Sequence, residues 1–122
     1  MPELKAIGRY NRLAMRAANL GQRDLALWNL SMASRLSREA GRPLLEAVTK
    51  NNMGLVFQMC GQEREASLCF HMALNLSRDA AVKQAAKRLS SDDHPLCRTI
   101  RTNLSRLDGR VTDNTLPLAS NA

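Results

Sequence analysis

The sequence predicts an all-α protein, a short right-handed helix-turn-helix solenoid, on three observations. The first is a repeat. Residues 11–40 read NRLAMRAANLGQRDLALWNLSMASRLSREA, and forty residues on, without a gap, residues 51–80 read NNMGLVFQMCGQEREASLCFHMALNLSRDA. In that register Gly21 matches Gly61, Gln22 matches Gln62, Ala26 matches Ala66, Met32 matches Met72, and Leu36-Ser37-Arg38 matches Leu76-Ser77-Arg78. A period of this length marks stacked supersecondary units. The second is periodicity: within each copy, apolar residues recur at three- and four-residue steps, the period of an amphipathic helix. The third is composition. Leu and Ala dominate, aromatics are reduced to one Trp, one Tyr and two Phe, and no alternating β-branched run offers a strand. At 122 residues the chain is one small domain with a modest core.

Each element follows from local signals. A first helix is expected from Pro2 or Glu3 to Asn19, and a second from Gln22 to Glu39, divided at Gly21. Gly41 and Pro43 break the chain, and Pro43 suits the first turn of a third helix that runs to Met59. Gly61, free to take positive φ, ends that helix. A fourth spans Glu63 to Arg78. Beyond it the repeat decays: AAVKQAAKRLSS is helical by propensity, and a bend at Asp79 is expected to separate it from the fourth helix. SSDDHP is an N-terminal signal for a last amphipathic helix with Leu96, Ile100, Leu104 and Leu107 on one face, of the kind that closes the end of a solenoid. The expected organisation is therefore one helical domain over 1–108, with units at about 5–40 and 45–80 and capping helices at about 81–108. Residues 109–122 are expected to be a flexible tail. Inside the fourth helix's unit, Gly54 stands mid-helix at a cost of about 1 kcal/mol against Ala. Close approach of two helix backbones is the expected reason, and Phe57 and Phe70 are expected to be buried.

The second unit resembles a tetratricopeptide repeat (TPR). Gly54, Phe57, Gly61, Ala66, Phe70 and Ala73 occupy the places where that family has a small residue, an aromatic, a turn glycine, a small residue, an aromatic and an alanine. The first unit matches through Tyr10, Leu13, Ala14, Gly21, Ala26, Leu30 and Ala33, and departs from the aromatic preference at Ala17 and Leu30. The second unit has Lys50 in place of an early Trp and Arg78 in place of a closing Pro. The forty-residue period resembles the longer-helix members of the family, and the resemblance covers about residues 5–80.

Charge and motifs narrow the function classes. The formal charge is +7, with basic excess in residues 1–40 and 81–122 and balance between them. That suggests an acidic partner, a membrane surface or nucleic acid, and settles none of them. Arg9, Arg12 and Arg16 share a helix face by spacing. With one Trp and one Tyr there is no stacking platform for single-stranded nucleic acid, and a nucleic-acid partner is not the one expected. MPELKAIGRY lacks the apolar core of a signal peptide, and no stretch approaches the about 20 apolar residues of a membrane span. Cys60, Cys69 and Cys97 lack metal-ligand spacing and sit in helical patterns, which points to a reducing cytoplasm. His71 and His94 have no ligand set around them. No catalytic constellation, phosphate-cradling loop or cofactor motif is found, so a non-enzymatic binding protein without cofactors is expected.

In the family the first helix of each unit lines a concave groove. The resemblance implies groove positions at Asn11, Arg12, Met15 and Asn19 in the first helix and at Val48, Asn51, Asn52, Leu55, Gln58 and Met59 in the third. Asparagine amides both donate and accept, so they can hold an extended backbone, and Met and Leu supply adaptable apolar contact. Asn52 matches an asparagine of the family's carboxylate clamp, but Asn11 and Met15 fall where that clamp has its first-helix pair, so the clamp is broken. A second surface is expected along helices two and four, where Leu25, Trp28, Met32, Leu68 and Met72 form an apolar stripe suited to homodimerisation. The expected function is a small TPR-like adaptor or chaperone holding a peptide or helix of another protein. The alternatives are a self-associating scaffold and a basic nucleic-acid-binding module.

Overall fold

A computed structural model describes residues 2–84 and 95–114. They form five helices: α1 (Pro2–Asn19), α2 (Arg23–Glu39), α3 (Pro43–Met59), α4 (Glu63–Gln84) and α5 (Pro95–Asn114). The protein is all-α, and no strand occurs among the described residues. Neighbouring helices pack in chain order, α1 on α2, α2 on α3, α3 on α4 and α4 on α5. In addition α1 touches α3 and α3 touches α5, so the first helices lie side by side along a short solenoid.

Three turns are built alike. Gly21, Gly41 and Gly61 have φ of 77°, 65° and 76°. At each, the residue after the glycine donates its N–H five residues back, Gln22 to the Ala17 carbonyl, Arg42 to Ser37 and Gln62 to Phe57. The glycine itself donates three back, to Ala18, Arg38 and Gln58. This is the Schellman ending, which satisfies carbonyls a helix end leaves open and needs a residue that tolerates the left-handed conformation.

The core falls into two clusters, each closed by the helix of the next layer. Ala14, Ala17, Ala18, Ala26 and Leu30 of the first unit are joined by Val56 of α3. Ala47, Ala66, Phe70, Ala73 and Leu74 of the second unit are joined by Cys97, Ile100, Leu104 and Leu107 of α5. Alanines on α1 and α2 let those helices approach closely. At Gly54 the close neighbour is a ring rather than a second backbone: a Cβ there would sit 2.6 Å from Phe70 Cδ1 and closer still to Cε1. Phe70 is fully buried, whereas Phe57 is only half-buried.

Two expectations are corrected. The fourth helix does not bend at Asp79 but continues to Gln84, because nothing in that stretch withdraws an N–H or favours positive φ. The last helix runs five residues past Gly109, where a tail was expected, and a single interior glycine there does not stop it. Ser37 and Ser77 are matched across the repeat. They are buried and donate to the carbonyls of Ala33 and Leu74. Pro95 opens α5 as expected; the capping residues before it, the expected helix near 81–89 beyond Gln84, and the last eight residues of the expected tail lie outside the described residues.

Candidate functional site

The face made by the first helices is organised by asparagines. Asn11 on α1 donates through Nδ2 to the Ile7 carbonyl (3.1 Å) and to Thr49 Oγ1 on α3 (3.0 Å). Its Oδ1 accepts from Asn52 Nδ2 at 2.8 Å. One layer on, Asn51 Oδ1 accepts from Asn103 Nδ2 of α5 at 2.7 Å. Asn11 and Asn51 are equivalent across the repeat, so two amide-to-amide steps run from α1 through α3 to α5.

This changes what the expected groove residues can do. Asn51 is 8% exposed and paired with α5, so it is a structural contact, not an open groove residue. Asn11 has both amide hydrogens and its oxygen engaged within the chain. Asn52 remains half-buried, with an amide oxygen uncommitted among the described residues. Around it the apolar members stay accessible: Val48 and Met59 are exposed, the latter by 54%, while Met15 and Leu55 are half-buried against the two core clusters. Gln58 is half-buried, and Arg12 and Asn19 are exposed on α1. The arrangement offers apolar contact with few free hydrogen-bonding groups, rather than a polar clamp.

The expected stripe is accessible but divided. Leu25, Trp28 and Leu68 are 50%, 56% and 62% exposed, Met72 is exposed and Met32 half-buried. Tyr10 meets the Trp28 ring edge-on, with centroids 6.3 Å apart. However, α2 and α4 do not pack on one another, so the five side chains are shared between two helices with α3 packed against both.

Two features were not read from sequence. Glu46 is buried between α2 and α3, where Arg38 pairs with it at 3.3 Å and Ser34 donates to it at 3.5 Å. An open hollow of about 570 Å³ lies between the start of α1, the α2–α3 turn and α4, lined by Leu4, Pro43, Leu44, Leu45 and Ala80. Three separate segments supply its walls, so no local pattern announces it. The cysteines are free, Cys60 exposed and Cys69 and Cys97 buried. Burial pushes the Cys69 thiol up, with Lys50 opposing and Glu65 adding to the shift. Ser77 Oγ lies 3.2 Å from Cys97 Sγ, a packing contact between α4 and α5. Among the described residues no cluster of His, Cys, Asp or Glu could hold a metal ion, and no helix is long and apolar enough to cross a membrane. No family model, curated protein or solved structure matches this chain.

Proposed function

We propose that the protein is a small TPR-like adaptor or chaperone-type module of the cytoplasm that holds a peptide or helix of another protein against its first helices. The observation that carries this reading is the accessible apolar row on α1 and α3, Met15, Val48, Leu55 and Met59, fixed in place by the bonded asparagines beside it. Met and Leu adapt to varied partners, and burial of such side chains contributes about 25 cal/mol per Å² of apolar area. The Asn52 oxygen adds a hydrogen bond worth about 0.5–1.5 kcal/mol net. Ordering a peptide is costly, so micromolar rather than nanomolar affinity is expected. The family likeness is supported by the turn glycines, by Gly54 under Phe70 and by the buried Ala66 and Ala73. A cytoplasmic setting is supported by the thiols, which are free though two of them are buried.

The test is a comparative pull-down. Val48→Gln with Met59→Gln alters only exposed side chains, so the fold is retained; His71→Gln, on α4, is the control. Partners lost by the first variant and kept by the second locate the groove. A double variant that keeps every partner of the wild type places binding elsewhere.

A further inference from the structure

Three first helices present the same four positions, and only two of them use those positions. In α3, Thr49, Asn52, Met53 and Val56 grip the preceding unit: Thr49 and Asn52 bond to Asn11, Val56 enters the first core cluster and Met53 packs on it. In α5, fifty-one residues on in every case, Ile100, Asn103, Leu104 and Leu107 grip the second unit, three in its core and Asn103 bonded to Asn51. Forty residues before the α3 set, the repeat places Arg9, Arg12, Leu13 and Arg16 on α1. Among the described residues nothing packs there. The three arginines are exposed, and Leu13 is 40% exposed. Lys5, one turn before Arg9, is exposed too, and none of the four cations makes a salt bridge among the described residues.

A surface whose two counterparts are each laid against a helix is shaped for a helix. We propose that this face of α1 docks an acidic amphipathic helix of a partner protein, laid against α1 as α2 lies against α3, with carboxylates opposite Arg9, Arg12 and Arg16 and an apolar side chain over Leu13. Charge selects the occupant. Arginine at three- and four-residue steps matches carboxylates at the same steps on a facing helix, and guanidinium–carboxylate pairs carry geometric specificity. A second copy stacked end to end does not fit. Residues 95–107 of α5, at the other end of the described stack, hold no acidic residue to face the arginines. A phosphate backbone would need the cations but not Leu13. Tyr10, one turn before Leu13, carries the edge-on contact to the exposed Trp28 ring, which extends the apolar ground beside the arginines. This surface is separate from the Val48–Met59 row, and its existence does not depend on the groove reading.

The experiment uses the full chain and a labelled synthetic helical peptide of about five turns, with glutamates at three- and four-residue steps around one leucine, and its twin with glutamine for glutamate. Fluorescence anisotropy at low salt is expected to show binding of the acidic peptide, weakening as added salt shortens the Debye length. The glutamine twin is expected to bind at least about tenfold more weakly. Arg9→Ser with Arg16→Ser, and separately Leu13→Ser, are expected to weaken the acidic peptide about tenfold, with unchanged circular dichroism. Val48→Gln with Met59→Gln is expected to leave this binding within about twofold. No binding by the wild type, equal binding of the twin, or arginine variants that bind normally would overturn the proposal. So would arginine variants that weaken binding while Leu13→Ser does not and a generic DNA duplex competes: that pattern assigns the face to phosphate backbones.

Discussion

At the scale of single residues, Gly54 and Phe70 are one decision. The ring is fully buried among Ala47, Ala66 and Ala73 and lies where a Cβ at position 54 would be. Two effects compete in Gly54→Ala. Helix propensity gains about 1 kcal/mol, and overpacking costs about 1–3 kcal/mol. A rigid ring held on all sides cannot swing away as a flexible side-chain end would, so the cost is expected to win and urea denaturation to show a net loss. Phe70→Ala is expected to cost about 3–5 kcal/mol, a large share of a small domain's stability. The two are coupled: in a Phe70→Leu background, Gly54→Ala is expected to lose most of its penalty. A single Gly54→Ala variant that melts higher than the wild type would show that the ring relaxes freely.

At the scale of elements, the amide pairs hold the first helices in register. Asn103→Ala removes the donor that Asn51 Oδ1 accepts from at 2.7 Å, in a place where Asn51 is buried. An unsatisfied buried acceptor costs about 1–3 kcal/mol. The paired change, Asn51→Leu with Asn103→Leu, is expected to be less damaging than the sum of the single changes, as a double-mutant cycle on denaturation midpoints would measure. This contact also marks how far sequence reasoning reaches. Helix starts and turns were legible at Pro43, Gly21, Gly41 and Gly61, because a missing N–H or a positive φ acts on its own residue. The amphipathic face of α5 was legible from Leu96, Ile100, Leu104 and Leu107. The end of α4 was not, since no breaker follows Asp79, and neither was the course of α5 past Gly109. The asparagines stand out in the sequence, but their role does not. Their residue type fits either a bonded spine or an open groove, and only the register of α3 against α1 and α5 decides that Asn51 and Asn11 are occupied. The basic face of α1 was visible as a spacing, but its kinship with Thr49, Asn52, Met53 and Val56 required knowing which residues of α3 grip the first unit.

At the scale of the whole molecule, stability is expected to be distributed by layer. The first core cluster contains no residue of α5, and the second takes Cys97, Ile100, Leu104 and Leu107 from it. A chain ending at Gln84 would therefore take four side chains out of the cluster around Ala47, Phe70, Ala73 and Leu74, and strip the partner from Asn51, while leaving the contacts of Ala14, Ala26, Leu30 and Val56 in place. In a stack where each layer touches only its neighbours, the loss acts first on the nearest layer. Native-state hydrogen exchange on the shortened chain is the measurement, because it reports opening free energies segment by segment. Amides of α4, and those of α3 on the α5 side, are expected to lose protection by more than those of α1 and α2. Equal loss in all four helices would show instead that the two clusters open together, and that the asparagine contacts between α1 and α3 couple the layers strongly enough to make the molecule one cooperative unit.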